Sequence, residues 1–272
     1  MSFGGKVVLI TGGNSGIGRA IAVKFAEENA KVVIVGRTAK TLAETKEELI
    51  GNGAKEEHIL AINADVSVKE ETTRIVDETI KKFGKLDILI NNAGVGNLQG
   101  ADPDAIESYD YIMNLNVRGV INLCTAAIPH LKETKGNIIN ISSIAAFFPT
   151  SSGGFYSMSK AALDMYTKCL ASKVTEHGVR VNSINPGAVK TSFFAKYISS
   201  KENTIETDVG NAILEKMIAP MVPMKRCGES NEIASIAIFL AGPGASLMSG
   251  SIIVADGGAL IADRYADILE KQ

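Results

Sequence analysis

Three polar side chains between residues 143 and 160 are of types that together could move a proton. Ser143 follows an apolar run typical of a strand, and Tyr156 and Lys160 stand four residues apart in a segment with a helical pattern. A spacing of four residues places the phenol and the ammonium on one face of a helix. If the strand brings the Ser143 hydroxyl to the same point, a carbonyl or alcohol oxygen bound there could gain or lose a proton.

The Tyr-x-x-x-Lys spacing is weak evidence by itself, because the chain contains it twice. The second pair, Tyr197 and Lys201, lies in a stretch without regular pattern and has Ile184 at the corresponding upstream position. The first pair follows an apolar strand that carries Ser142 and Ser143 at its carboxyl end. Only the first pair is therefore expected to join a third polar group.

A glycine-rich turn follows the first predicted strand and favours the binding of a dinucleotide. In a parallel sheet, such a turn lets phosphates approach backbone N–H groups and the positive end of the next helix. Glycine-rich turns also serve tight packing alone, so the position directly after the first strand supports the prediction. The predicted phosphate-binding residues are Gly12, Asn14, Ser15, Gly16, Ile17 and Gly18.

The end of the second predicted strand indicates which dinucleotide binds. An acidic residue at this place accepts hydrogen bonds from the ribose 2′-OH of NAD, whereas an Arg accommodates the 2′-phosphate of NADP. Here the strand ends at Gly36 and Arg37, and no carboxylate stands there. Arg37 offers a planar, permanently charged fork for a phosphate. The sequence therefore favours NADP over NAD, with a solvated surface arginine as the alternative.

These groups require a framework of alternating strands and helices. Short apolar runs typical of strands buried on both faces alternate with segments of helical periodicity, and no repeat or linker divides the chain. We predict one α/β domain over residues 1–272, a doubly wound Rossmann-type three-layer sandwich around a mostly parallel seven-stranded sheet. Ser67 with Glu70 predicts a capping box at one helix start. The predicted strands are 6–11, 31–35, 59–62, 86–90, 137–141, 180–184 and 251–254, and the predicted helices are 19–29, 41–50, 68–83, 104–130, 154–176 and 231–240.

Composition argues against several classes of protein. The 272 residues are 46% hydrophobic and 21% charged, as in ordinary globular proteins, with no apolar run long enough to span a membrane. The formal net charge of −2 and the scattered Lys and Arg residues give no basic footprint for nucleic acid. The first residues lack the apolar core of a secretory signal. We therefore expect a cytoplasmic protein that binds neither nucleic acid nor membranes.

The cysteine and histidine residues predict neither disulfides nor a metal site. Cys124, Cys169 and Cys227 are odd in number and far apart, which favours free thiols in a reducing compartment. The three histidines have no metal-ligand spacing.

Taken together, these motifs resemble the short-chain dehydrogenase/reductase family. The resemblance covers residues 6–258, with the motifs in the family's order and spacing. Several ordered motifs are more specific than any one of them. They are Thr11-Gly12-x-x-x-Gly16-Ile17-Gly18, Asn91-Asn92-Ala93-Gly94, Asn116, Ser143, Tyr156-x-x-x-Lys160 and Pro186-Gly187.

The resemblance implies an active site of four residues. Tyr156 would be the general acid that protonates a carbonyl oxygen as hydride arrives from NADPH, or the base in the reverse direction. Because a free phenol has a pKa of about 10, acting near neutral pH requires a depression of roughly 3 units, or about 4 kcal/mol. Lys160 and the positive nicotinamide ring would stabilise the phenolate. Lys160 would also hold the nicotinamide ribose, Ser143 would bond the substrate oxygen, and Asn116 would anchor a water that links Lys160 to solvent.

The resemblance also implies residues along the cofactor. The turn at 91–94 would steady the sheet and face the adenosine side, and two residues after the third strand would lie beside the adenine ring. Asp65, one of these two, fits a simple turn or cap residue nearly as well. A loop near residue 190 would close over the nicotinamide and meet its carboxamide. The residues concerned are Asp65, Val66, Asn92, Ala93, Gly94, Pro186, Gly187, Val189 and Thr191.

Residues 188–226 form a long stretch without regular pattern, and we expect it to be a substrate lid. Its aromatic and methionine side chains, with the apolar residues 145–148, favour a pocket for an apolar or mixed ketone, aldehyde or secondary alcohol. The alternative is that these side chains only pack the lid onto the domain.

Two other functions fit the same fold. One is a non-catalytic nucleotide-binding sensor or scaffold, against which the set of Asn116, Ser143, Tyr156 and Lys160 argues. The other is a sugar-nucleotide epimerase, for which a longer C-terminal region and a different glycine spacing would be expected. Proteins similar to this chain form homotetramers through their long helices and C-terminal segment, and we expect the same here, with the apolar residues of 259–269 available for contacts.

Overall fold

The fold is built on a parallel sheet. The computed structural model describes residues 2–149, 154–199 and 203–262. Within them the strands are β1 (Val7–Thr11), β2 (Lys31–Gly36), β3 (Ile59–Asn63), β4 (Ile88–Asn91), β5 (Asn137–Ile141), β6 (Arg180–Pro186), β7 (Val189–Lys190), β8 (Gly228–Glu229) and β9 (Ile252–Ala255). Seven of them form one sheet in the order β3-β2-β1-β4-β5-β6-β9, and β7 and β8 form a short separate ribbon. Every pairing in the large sheet is parallel, so the predicted architecture is confirmed and the sheet is more regular than "mostly parallel".

Helices cover both faces of the sheet. They are α1 (Gly16–Glu27), α2 (Ala39–Gly51), α3 (Lys69–Phe83), α4 (Ile106–Met113), α5 (Val120–Thr134), α6 (Gly154–Val174), α7 (Ser192–Ile198), α8 (Thr207–Ile218) and α9 (Ser230–Ala241). The apolar faces of α1, α2 and α9 pack on one side of the sheet, and those of α3, α5 and α6 pack on the other. The result is the predicted three-layer sandwich.

The strand sequences explain this layering. All five residues of β1 are buried. Because successive side chains point to opposite faces, Val8 and Ile10 join the core under α1 and α9, whereas Val7 and Leu9 join the core under α3, α5 and α6. A strand that must be apolar on both faces reads as a continuous apolar run.

Two local predictions were wrong, and one helix is less regular than predicted. The helix predicted at 104–130 forms, but as α4 and α5 joined by a π-helical segment at Asn114–Gly119. The stretch 188–226 is not irregular, because it contains β7, α7 and α8. The capping box does not form, because Val68 and not Ser67 stands at the N-cap of α3.

No helix in the described part of the chain is long and apolar enough to cross a membrane.

Candidate active site

An open cleft of about 430 Å³ lies where the central strands end. Residues at or just after the carboxyl ends of β1 to β6 form its walls. Parallel sheets bind ligands at this edge, and sites for small molecules commonly measure about 300–1,000 Å³. The predicted site residues that line it are Gly12, Asn14, Ser15, Gly16, Ile17, Arg37, Asp65, Val66, Asn92, Ala93, Gly94, Ser143, Tyr156, Lys160, Pro186, Gly187, Val189 and Thr191. The other two, Gly18 and Asn116, are buried outside this lining.

The glycine turn has the backbone geometry that a phosphate site needs. Gly12 and Gly16 have φ values of 63° and 51°, a region that favours glycine. A Cβ at Gly18 would collide with the carbonyl of Gly12, so this glycine allows α1 to start close to the turn. Ser15, at the N-cap of α1, makes no side-chain cap bond. The first N–H groups of α1 are thus left for a ligand, and the turn fits the phosphates of a dinucleotide.

The Asn92 side chain holds this turn in place. Its Nδ2 donates to the carbonyl oxygens of Thr11 at 2.9 Å and Gly12 at 3.3 Å. In return, Thr11 Oγ1 accepts from the backbone N–H groups of Asn92 and Ala93, both at 3.0 Å. The amide donor of Asn92 therefore faces the end of β1, and Asn92 shapes the site by bonding the two strand ends together.

Arg37 lies at the end of β2 and lines the cleft with half of its side chain exposed. Asp65 Oδ2 is 3.8 Å from the guanidinium. A hydrogen bond with Tyr111 is the main cause that raises the pKa of Arg37. Arg37 thus lies half-exposed at the edge of the cleft, with Tyr111 and Asp65 as its neighbours.

The Ser143, Tyr156 and Lys160 side chains come together near the end of β5. Arg37 lies at the other end of the cleft, after β2. Lys160 Nζ donates to the backbone carbonyl of Ile141 at 2.9 Å and lies 5.6 Å from the centre of the Tyr156 ring. Ser143 is hydrogen-bonded to Tyr156 through its side chain. The helical spacing of the pair and the strand end before it produce the convergence that the sequence predicts.

Burial shifts the pKa values of this pair in opposite directions. It raises the pKa of Tyr156 to about 12, although the hydrogen bond with Ser143 works against the shift. It lowers the pKa of Lys160 to about 8, against the negative charge of Asp164. The depression expected for the phenol is therefore not produced by the protein's own groups, because desolvation outweighs them.

Asn116 and Gly94 border Lys160. A Cβ added at Gly94 would lie 3.4 Å from Asn116 Oδ1 and 3.5 Å from Lys160 Nζ, so both groups are within van der Waals reach of this position. The Asn116 amide donates to the carbonyl of Val95 at 2.8 Å and to Ser159 Oγ at 3.0 Å, and its Oδ1 accepts from the Val95 N–H at 2.9 Å. Asn116 sits in the π-helical segment, a deviation frequent at functional sites.

The loop after β6 closes the cleft on its remaining side. Gly187 packs against Asp256, where a Cβ would lie 2.8 Å from the Asp256 Cα. Thr191 caps α7, since its Oγ1 accepts from the Phe193 N–H at 3.1 Å. The Thr191 side chain also faces Gly16 of the glycine turn. This loop therefore connects the glycine turn to α7.

Helix α7, which the sequence did not predict, brings aromatic side chains of the expected lid to the site. The Phe193 ring lies 5.7 Å from the Tyr156 ring, centre to centre. Tyr197, expected as a lid residue and not as part of a catalytic pair, is near enough to raise the pKa of Tyr156, while Lys201 lies outside the described residues. Tyr111 beside Arg37 was also missed. Helical periodicity over 192–198 was the available signal, but seven residues are too few for it to stand out.

A parallel sheet with a glycine turn, and a Ser-Tyr-Lys set at the far end of the same cleft, define a nucleotide-dependent oxidoreductase of the Rossmann type. The family model described as short chain dehydrogenase matches residues 6–202. The chain belongs to the short-chain dehydrogenase/reductase family, whose members are oxidoreductases that use a nicotinamide cofactor.

Relatives support this membership over the whole chain. An uncharacterized oxidoreductase of Thermotoga maritima is 37% identical, with 95% of this chain and 99% of that protein covered. A glucose 1-dehydrogenase of Gluconobacter oxydans is 35% identical, with 94% of this chain and 92% of that protein covered.

Solved structures agree. A short-chain dehydrogenase/reductase of unknown function from Caenorhabditis elegans, crystallised with cofactor, superimposes with a TM-score of 0.89 at 34% identity, covering 96% of this chain and 97% of that one. The apo form of a glucose dehydrogenase of the same organism gives a TM-score of 0.82 at 40% identity, covering 96% of this chain and all of that one.

Proposed function

We propose that this protein is an NADP-dependent oxidoreductase that transfers a hydride between the nicotinamide and a ketone, aldehyde or secondary alcohol, with Tyr156 as general acid or base. The observation that supports it is the convergence of Ser143, Tyr156 and Lys160 in the cleft that also contains the glycine turn and Arg37.

When bound, the nicotinamide would supply the hydride in reduction and take it up in oxidation. In reduction, Tyr156 gives its phenolic proton to the carbonyl oxygen, and a raised pKa keeps that proton in place until the transfer. In oxidation, Tyr156 must first become a phenolate, which the Lys160 ammonium stabilises. Ser143 binds the same substrate oxygen, and Asn116 anchors the water that links Lys160 to solvent.

The cofactor would lie along the cleft from the glycine turn to Lys160. Backbone N–H groups of Ser15, Gly16 and Ile17 would bind phosphate, and Arg37 would bind the 2′-phosphate. The other contacts proposed are Asp65 and Val66 with the adenine, Ala93 and Gly94 along the adenosine side, Lys160 with the nicotinamide ribose, and Pro186, Gly187, Val189 and Thr191 around the nicotinamide.

Residues 188–226 would act as the substrate lid of a single domain spanning residues 1–272. Phe193 and Phe194 line the cleft beside Tyr156, which favours a substrate with an apolar part. Relatives include glucose dehydrogenases by name, so sugars belong among the candidates. We further propose a cytoplasmic homotetramer, because Cys124, Cys169 and Cys227 are all free and because α6 exposes an apolar stripe.

The decisive experiment is a panel of ketones, aldehydes, sugars and hydroxysteroids, assayed through NADPH absorbance with the wild type and Tyr156→Phe. We expect at least one substrate for the wild type and a loss of about 10²–10⁴-fold in kcat for the variant, with NADPH affinity retained. Binding of NADPH without turnover of any compound would favour the non-catalytic sensor. Turnover by Tyr156→Phe at the wild-type rate would refute the role of Tyr156.

A further inference from the structure

Asp164 is a buried acidic residue to which the proposed mechanism gives no role. It lies on α6, one turn after Lys160, and is 7% exposed. Its Oδ1 accepts from Ser183 Oγ at 3.0 Å, and its Oδ2 accepts from Asn185 Nδ2 at 2.6 Å. A carboxylate at this depth is costly unless polar groups surround it. The groups that Asp164 holds in place therefore give a reason for burying a carboxylate here.

Asn185 links Asp164 to the active-site serine. The same Nδ2 that donates to Asp164 also donates to the backbone carbonyl of Ser143, at 3.0 Å. On the other side of the amide, Ser183 Oγ lies 2.8 Å from Asn185 Oδ1. Ser183 and Asn185 are fully buried and two residues apart on β6, so both point to the same face of the sheet. Because Asn185 Nδ2 donates to two acceptors, the amide has one orientation, and this orientation fixes the carbonyl of Ser143.

Asp164 also acts on Lys160 through its charge. Among the causes of the shifted pKa of Lys160, burial lowers it and the negative charge of Asp164 raises it. Tyr156 is the other titratable group that faces Lys160, and it lies on the same helix. From β5, Lys160 meets the Ile141 carbonyl, which carries no net charge.

Two uncharged groups from other elements lie near Lys160. A Cβ at Gly94, in the loop after β4, would be 3.5 Å from Lys160 Nζ and 3.4 Å from Asn116 Oδ1, which belongs to the segment 114–119. The charge that supports the Lys160 ammonium therefore comes from Asp164, on its own helix.

We propose that Asp164 is a positioning residue of this site. Through Asn185 it sets the place of Ser143, and through its charge it supports the ammonium of Lys160. The inference rests on the proposed function, which gives Ser143 and Lys160 their roles. Asp164 acts only through these two residues and has no contact with the reacting atoms.

Two variants separate the two effects. Asp164→Asn removes the charge at nearly constant size, and Asn185→Ala removes the tether to Ser143 while keeping the charge. The control is Glu176→Gln, which removes an exposed acid from the segment just after α6. The readouts are kcat, KM and the pH profile of kcat/KM for carbonyl reduction, together with thermal stability.

For Asp164→Asn, we expect the alkaline limb of the kcat/KM profile to move about one pH unit lower, because an opposite charge is lost near Lys160. For Asn185→Ala, we expect kcat to fall roughly tenfold without a move of the limb, because Ser143 is displaced. Glu176→Gln should match the wild type in both.

A measurement without turnover keeps the test independent of the proposed function. In protein with isotope-labelled lysine, the Lys160 side-chain resonance is assigned by its loss in Lys160→Met and titrated by NMR. Its titration should also move about one pH unit lower in Asp164→Asn. A wild type that reduces no carbonyl would defeat the proposed function, and the titration would still decide the effect of Asp164.

The proposal is overturned if Asp164→Asn titrates as the wild type does and Asn185→Ala keeps the wild-type kcat, both losing thermal stability alone. The cluster would then only stabilise the fold. Should Asp164→Asn fail to fold, Asn185→Ala decides the proposal through kcat.

Discussion

The Lys160 ammonium lies where its charge is disfavoured. It is 4% exposed, and burial moves its pKa from 10.5 to about 8. Burying this ammonium costs free energy, so Lys160 does not lie here to stabilise the fold. Its position beside Tyr156 gives a reason for this cost, since a phenolate forming there needs a positive neighbour.

This cost predicts how stability depends on pH. Between pH 8 and 10.5 the unfolded chain keeps the proton on Lys160 while the folded protein loses it. The unfolded state then binds more protons, so the free energy of unfolding rises with pH in this window. Relative to Lys160→Met, the wild type should gain about 3 kcal/mol across it. Denaturant unfolding at several pH values measures this difference.

Lys168→Met is the matched control, because Lys168 is exposed on the same helix. The difference in the free energy of unfolding between this variant and the wild type should stay constant over the same pH window. A constant difference between wild type and Lys160→Met over the window would show that Lys160 is not desolvated as described.

Arg37 gives a second prediction at this scale. Arg37→Asp would place a carboxylate beside Asp65, so a 2′-phosphate would meet two like charges in place of one cation. NADPH affinity should fall by roughly 10- to 100-fold, and NADH affinity should rise, because a carboxylate can accept bonds from the ribose hydroxyls. Fluorescence titration with both cofactors measures the ratio.

The control for Arg37→Asp is Lys55→Asp, an equal change of charge at an exposed position before β3. It should leave both affinities unchanged. Equal affinity of the wild type for NADH and NADPH would contradict the preference for NADP.

Residue types and spacing predicted the glycine turn, Arg37 and the convergence of Ser143, Tyr156 and Lys160, because these groups follow strand ends or share a helix face. The remaining residues of the cleft were expected only from the resemblance to the family. The sequence does not show which hydrogen-bond partner each polar side chain takes. Asn92 bonds the glycine turn, and Asn185 bonds Ser143 across neighbouring strands. Such partners are far apart in the chain, and no periodic pattern encodes them. Asp164 is one turn from Lys160, yet its partners on β6 become visible only in the folded protein.

At the scale of elements, strands were easier to predict than helix ends. A strand buried on both faces, such as β1, forms an apolar run that stands out in the sequence, whereas the π-helical segment at Asn114–Gly119 has the composition of an ordinary helix. Helix α7 was missed because seven residues are too few for a periodic pattern to stand out. Helix α8, although as long as α1, was missed because the whole stretch 188–226 was predicted to be irregular.

Helix α7 is held over Tyr156 by contacts with the loop after β4. Asn97 Nδ2 donates to the Tyr197 carbonyl at 3.0 Å. A Cβ at Gly96 would lie 2.8 Å from Tyr197 Cδ2 and 3.0 Å from Phe193 Cζ. The absence of a side chain at Gly96 therefore lets both rings approach, and Phe193 reaches Tyr156 as a result.

Gly96→Ala should displace the rings of Phe193 and Tyr197. We expect it to alter substrate binding more than the stability of the fold. Because the ring ends can shift, we expect a small change in melting temperature and a roughly tenfold loss in kcat/KM, mostly through KM. Gly51→Ala is the control, since a Cβ at the end of α2 meets nothing within 4 Å. Unchanged kinetics in Gly96→Ala would show that α7 does not contribute to the substrate site.

At the scale of the whole molecule, α6 presents an unusual surface. Its inner face carries Tyr156, Lys160 and Asp164, while its outer face exposes Met158, Ala161, Met165 and Cys169 at helical spacing. Both methionines are more than half exposed. An apolar stripe on a long helix is typical of a face that another protein surface covers. The C-terminal contacts expected at 259–269 lie largely outside the described residues, so α6 is the better place for a test.

Met165→Glu should break the proposed homotetramer into smaller species. A carboxylate in the centre of an apolar contact would be buried without a partner, and a twofold contact would repeat the same charge on both copies. Sedimentation velocity at micromolar concentration should show the wild type as a tetramer and the variant as monomers or dimers. Ile50→Glu, on an exposed part of α2, is the matched change and should remain tetrameric. Because α6 also carries the reacting groups, loss of assembly should lower kcat as well, and a monomeric wild type with full activity would exclude any role for this face.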